Sequence, residues 1–131
     1  MIKSDVVMKE ILIVGAGGFA GSILRYLVSK TMVSCVAVSG FPFATLTVNV
    51  IGSLLIGGLV SAGTNGGWYL LAVTGFCGGF TTFSTFSLEC VGLFRSGNWS
   101  MGITYIAASL LLSIAAVIAG FYFGMKWNDF K

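Results

Sequence analysis

The sequence predicts an all-α integral membrane protein with four transmembrane helices, the third broken near its middle. Three observations carry that prediction. The 131 residues are 56% hydrophobic and only 8% charged, against about 25% charged in average soluble domains. Four apolar stretches, about residues 11–28, 44–62, 69–94 and 101–124, divide the chain into one four-span membrane domain. The shortest rises about 27 Å as a helix, close to the hydrocarbon thickness. Finally, the third stretch holds Gly75 to Ser87, in which a glycine pair is followed by hydroxyl residues on both sides of Phe83. An unpaired backbone group in hydrocarbon costs several kcal/mol, so a broken helix persists there only under protein or beside a wet cavity. A break at that depth marks an ion or substrate site.

The residue inventory narrows the chemistry. Histidine is absent, and the four acids, Asp5, Glu10, Glu89 and Asp129, are too scattered to pair. General acid–base and metal catalysis therefore lack their usual groups, and an enzyme is not expected. Cys35, Cys77 and Cys90 are odd in number and offer no disulfide framework. Cys77 and Cys90 read as small hydrophobes. The net charge of +3 lies mostly near span ends, with no basic stripe for nucleic acid.

The first span follows Lys3 and Lys9, as a secretory signal would, but acids interrupt that leader. The apolar run also outlasts an h-region of roughly 7–15 residues. Gly15-Ala16-Gly17-Gly18-Phe19-Ala20 after Ile11-Leu12-Ile13-Val14 imitates a dinucleotide-binding fingerprint. That fingerprint needs an acid about 20 residues on and a βαβ unit; residues 35–40 hold no acid. Gly17-x-x-x-Gly21 instead suits close approach of another helix. Arg25, near the end of the span, reads as a snorkelling anchor or as a vestibule cation that attracts anions.

Residues 29–43 form a polar-to-mixed connection with Lys30, Gly40 and the only proline, Pro42. In the second span Thr45, Thr47, Asn49 and Ser53 make the first half unusually polar. A carboxamide facing lipid would leave its hydrogen-bonding sites dry, so Asn49 must face inward. Interhelical bonding and pore lining both suit it. Residues 63–67 read as a turn, and Trp68-Tyr69 as an interfacial aromatic belt. A loop at residues 95–99 leads to the fourth span, where Ala116, Gly120 and Gly124 form a tight-packing stripe. The tail, residues 125–131, is polar and short enough to fray.

Two spans carry aligned chemistry. Tyr105, Ser109 and Ser113 are four apart, so they share one face of the fourth helix. Such a file suits a polar track, although a serine can also bond back to its own helix. In the third span Thr81, Thr82, Ser84, Thr85 and Ser87 leave no face wholly apolar. Phe83 and Phe86, three apart, project from neighbouring sides of one face. A phenyl ring has a positive edge, so such edges attract an anion, while a cation prefers the ring face. Plain packing suits these rings as well. The expected break at Gly78-Gly79 would free carbonyls for a small cation, whereas half-helix N-termini favour anions. The residues by themselves leave the ion open.

Charge counting bears on assembly. With four spans, Lys3, Lys9, Lys126 and Lys131 fall on one side, and Arg25, Lys30 and Arg95 on the other. So even a split gives the positive-inside rule little to act on. Insertion in both orientations follows, and an antiparallel, dual-topology homodimer would supply the inverted pair that other transport folds obtain from internal repeats.

The run from Thr74 to Ser87, followed by Glu89, strongly resembles the Fluc/CrcB fluoride channels. So do Gly17-Gly18 through Arg25-Tyr26, and Thr45-Leu46-Thr47-Val48-Asn49 with Gly52. The resemblance covers all four spans. It implies a homodimer in a prokaryotic plasma (inner) membrane, with two pores that export fluoride passively down its electrochemical gradient and so protect the cell. By the same resemblance, Phe83 and Phe86 match the family's phenylalanine box, and Asn49 its pore-facing amide. Gly78 and Thr81 match the positions whose backbone carbonyls hold a structural Na⁺ at the dimer axis. Tyr105, Ser109 and Ser113 are similar to the family's hydroxyl track. Ser84 and Thr85 fall where hydroxyls meet the ion path, and Arg25 and Glu89 resemble vestibule residues. Ala44 stands where the family usually has glycine.

The rival is a proton-coupled small multidrug transporter, which needs an ionisable carboxylate deep in the membrane. Glu10 lies at the start of the first span and Glu89 near the end of the third, so neither is central. A third reading, a non-conducting assembly subunit, predicts no ion specificity.

Overall fold

The computed structural model describes residues 2–129. Every regular element in them is helical. Four helices are long and apolar enough to cross a membrane. The first span, Ile2–Thr31, and the fourth, Trp99–Asn128, are both 30 residues and extend beyond the apolar stretches that announce them. The second is Phe43–Ser61. Helix therefore continues into the tail that the sequence suggests would fray, at least through Asn128; Phe130 and Lys131 lie outside the described residues. In the connection between the first two spans, Val33–Ser39 forms a short helix. Gly40 ends it with φ 70°, a left-handed conformation that glycine adopts without strain, and donates its N–H to Val36 O at 2.8 Å. Ala44 is buried in the first turn of the second span, whose helix runs on undisturbed.

Two helix pairs make up most of the fold. The second span packs on the fourth, and the first on the N-terminal half of the third. Small residues allow both. A Cβ at Gly17 would collide with the Leu71 carbonyl, and one at Gly21 with the Phe76 carbonyl. A Cβ at Gly120 would meet the Leu54 carbonyl in the same way. Lipid tails are as apolar as leucine, so backbone-to-backbone contact of this kind drives helix association in a membrane. The Gly17-x-x-x-Gly21 and Gly120/Gly124 stripes thus serve the packing that their spacing predicts.

The third span is interrupted, but not at the glycine pair. It begins with a helical turn, Gly66–Trp68, and continues as a π-helical stretch, Tyr69–Cys77. Gly78 is helical (φ −62°, ψ −38°) and opens a last turn, Gly78–Phe80. The chain then becomes extended at Thr81 (φ −82°, ψ 159°) and Thr82 (φ −152°, ψ 119°) before Phe83–Arg95 resumes the helix. Threonine chemistry explains the shift. Thr81 turns both its N–H and its hydroxyl onto the Cys77 carbonyl, at 3.0 and 2.9 Å. Thr82 then caps the next helix, its Oγ1 accepting the Thr85 N–H at 3.3 Å. β-Branched hydroxyl residues favour extended backbone and N-caps over helix interiors. Gly79 instead lets the first span come close, since a Cβ there would lie 2.5 Å from Gly18 O.

Little of the chain is enclosed. The apolar cluster around Cys90, Leu93 and Tyr105 is small, while Leu111 and Ile118 on the fourth span are 70% and 65% exposed. Apolar helices with this much bare surface are built to be covered by lipid or by another protein surface.

Candidate functional site

The break is held from the second span. Asn49 faces inward, as its polarity demands, and its Oδ1 accepts the Thr82 N–H at 2.8 Å. Its Nδ2 donates to the Thr82 carbonyl at 3.1 Å. The neighbouring carbonyls lose partners as a result. In an unbroken helix the Thr82 N–H would bond Gly78 O, and the Thr85 N–H would bond Thr81 O. Here Asn49 takes the first and the Thr82 hydroxyl the second. The Gly78 and Thr81 carbonyls are thereby deprived of their ordinary helical donors. Gly78 has open space beside it, with nothing within 4 Å of where a Cβ would stand.

A cleft of about 390 Å³ opens at this point between the second, third and fourth spans. It brings together Asn49, Gly78, Thr81, Phe83, Phe86, Ser109 and Ser113, seven residues singled out from the sequence. Ser109 Oγ is buried without a hydrogen-bond partner, and an unused hydroxyl in such a place is costly unless something visits it. The rings of Phe83 and Phe86 lie 5.7 Å apart at 43°. Phe83 is 77% exposed, so it packs little within the chain. Phe86 leans on Tyr105 at 5.1 Å. Among the described residues no carboxylate lines the cleft.

The other predicted residues gather nearby in two groups. Arg25 and Thr85 share a second cleft of about 300 Å³ with Ser22, Ser29, Thr45 and Thr82. Thr82 lines both clefts, so the break is the wall between them. Glu89 and Tyr105 are joined directly: the tyrosine hydroxyl donates to Oε2 at 2.7 Å, and Thr45 Oγ1 donates to Oε1 at 2.8 Å. Tyr105 is fully buried and lines neither cleft, so the file on the fourth helix divides into a tyrosine that holds Glu89 and two serines that face the larger space. Ser84 is exposed, its Oγ 3.4 Å from Thr82 Oγ1.

Sequence reasoning gave no site role to Thr45 or Thr82. The signal for Thr45 was present: it lies four residues before Asn49, on the same helix face. For Thr82 the sequence carried only a hydroxyl among many. Cys77 and Cys90 are buried and unpaired, as expected of small hydrophobes. Among the described residues no group of His, Cys, Asp and Glu could hold a metal ion.

Four helices long and apolar enough to cross a membrane, one of them opened beside a cleft lined by hydroxyls and rings, define a multi-pass membrane protein. The chain belongs to the CrcB family: residues 12–121 match the family described as "CrcB-like protein, Camphor Resistance (CrcB)". It is 45% identical over 127 residues to the fluoride-specific ion channel FluC of Chlorobaculum tepidum, covering 93% of this chain and 99% of that relative. The FluC of Rhizobium meliloti is 47% identical over 118 residues, 86% of this chain and 94% of the relative. The fluoride-specific ion channel FluC 2 of Bacillus cereus is 40% identical over 117 residues, 89% and 98% respectively.

Proposed function

We propose that this chain is the subunit of a fluoride-selective ion channel and not an enzyme. Two copies pair antiparallel in a prokaryotic inner membrane, and two pores per dimer let fluoride leave the cell passively down its electrochemical gradient. One observation carries the reading: the larger cleft offers hydroxyl and amide donors and two phenyl rings, and no carboxylate. A small anion leaving water needs donors in place of its hydration shell, because an unpaired charge in low dielectric is prohibitively costly. Hydrogen bonds to an ionised acceptor are about twice as strong as neutral ones. Ser109, Ser113 and the edges of Phe83 and Phe86 are the groups suited to that replacement. Asn49 contributes chiefly by holding the break open, with its second amide hydrogen left for the ion. Ser84, Thr85 and Arg25 belong to the approach, where a guanidinium raises the local concentration of anions.

The same site accommodates a structural Na⁺ at the dimer axis. The Gly78 and Thr81 carbonyls lack their helical donors, and Gly78 leaves room beside them. Hard oxygen donors of that kind suit a small monovalent cation, whose charge would offset part of the cost of an anion close by.

The proton-coupled transporter reading is the weaker one. Its carboxylate would be Glu89, which sits outside the cleft with its two oxygens occupied by Thr45 and Tyr105. The experiment is fluoride release from vesicles with proton movement followed at the same time. Release without coupled proton flux is expected. Substrate-dependent proton flux without fluoride release would favour the transporter. Pairing in opposite senses is tested by cysteines engineered into the tail: labelling from both faces of a vesicle is expected, and labelling from one face only would refute it.

A further inference from the structure

A serine inside a membrane helix commonly bonds its hydroxyl to the carbonyl one turn back. Ser22, Ser61 and Ser87 do so, reaching the Gly18, Gly57 and Phe83 carbonyls at 2.8, 2.9 and 2.9 Å. Ser53, Ser109 and Ser113 have no such bond among the described residues, and all three line the larger cleft. The hydroxyls that could serve a guest in that space are therefore the ones withheld from the backbone. Ser109 makes the point most sharply, being only 7% exposed and still without a partner.

Ser53 differs from the other two in its origin. It comes from the second span, one turn beyond Asn49 and on the same helix face, whereas Ser109 and Ser113 come from the fourth. Its neighbour Gly52 presses on the Thr81 methyl, which a Cβ at that position would strike, so the second span is seated directly against the break. We propose that Ser53 is a further hydrogen-bonding residue of the ion path, donating to the anion from the second span while Ser109 and Ser113 donate from the fourth. The proposal rests on the fluoride-channel reading and deepens it. A halide stripped of water needs donors from more than one side, and a track on a single helix supplies only one. Asn49 cannot fill the gap alone, since its oxygen and one amide hydrogen are committed to Thr82.

The test compares Ser53→Ala with Ser61→Ala, which deletes a back-bonded serine absent from the cleft lining. Fluoride release from vesicles is measured for both, along with Ser53→Thr, which retains the hydroxyl, and dimer integrity is checked by size exclusion. Ser53→Ala should lower the rate about tenfold, as loss of one hydrogen bond to an anion predicts. Ser61→Ala should change it less than about twofold, and Ser53→Thr should restore most of the loss. An alanine variant within about twofold of the unsubstituted protein would overturn the proposal, as would an equal loss in Ser61→Ala. Vesicles of the unsubstituted protein that retain fluoride would sink the channel reading itself, which separates the two failures.

Discussion

Asn49 and Thr82 are bonded twice across the interior of the chain. The carboxamide oxygen takes the threonine N–H at 2.8 Å, and the carboxamide nitrogen donates to the threonine carbonyl at 3.1 Å. One side chain thus satisfies both backbone groups of the residue at which the third helix is severed. In hydrocarbon those groups would otherwise have no partner.

Replacing that brace should be costly. Asn49→Ala strands a donor and an acceptor, each worth about 1–3 kcal/mol when left buried and unpaired. A loss of about 2–4 kcal/mol of stability is expected, read as a lower melting point in detergent. An unchanged melting point would mean that something other than Asn49 supports the break.

Phe83 has the opposite character. It is 77% exposed, so its removal takes little packing from the chain. Phe83→Ile should abolish fluoride throughput while the variant elutes from size exclusion at the same volume as the unsubstituted protein. Unchanged flux in that variant would reduce Phe83 to a surface packing group.

The helix–helix seam separates two glycines that look alike in sequence. Gly17→Ala drives a methyl into the Leu71 carbonyl, with Phe76 N only 2.9 Å away, and should cost about 1–3 kcal/mol or more. Gly15 has nothing within 4 Å, and Gly15→Ala should be neutral or stabilise the helix by about 0.5–1 kcal/mol. Thermal unfolding of the two variants side by side decides this, and equal behaviour would show that the seam is not where contact is closest.

Glu89 accepts from two hydroxyls, one on each oxygen. Glu89→Gln replaces a charged acceptor with an amide whose N–H the facing hydroxyl must turn to accept, so the charge-assisted bonds are lost and stability should fall by about 1 kcal/mol. Fluoride release by the unsubstituted protein and by this variant should remain independent of an imposed proton gradient. Release that appears only with a gradient, and disappears in Glu89→Gln, would return the carboxylate to the centre of a transport cycle.

How much of this was legible in the sequence depends on the kind of information each feature uses. Apolar length announced the four spans, because a bilayer sets a minimum that composition reveals directly. The Gly17-x-x-x-Gly21 spacing announced its seam, since only close contact makes small residues useful in a membrane. The break was announced in kind but placed a turn early. Glycines look like the weak point of a helix, yet Gly78 and Gly79 stay helical and serve close approach and open space. The actual interruption depends on Thr82 being claimed by Asn49, from a different span. A bond between residues 33 positions apart in the chain leaves no local mark. For the same reason Tyr105 read as part of a continuous track, whereas its hydroxyl belongs to Glu89. The π-helical stretch Tyr69–Cys77 is a change of backbone register that leaves side-chain composition untouched.

The central claim is that the donors and rings beside Thr82 let a dehydrated fluoride through and turn a larger halide away. Purified protein in vesicles loaded with equal fluoride and chloride, followed by two ion-selective electrodes after the membrane potential is released, tests it most directly. The account predicts rapid loss of fluoride with chloride retained. Retention of both ions, or escape of both at similar rates, would contradict it.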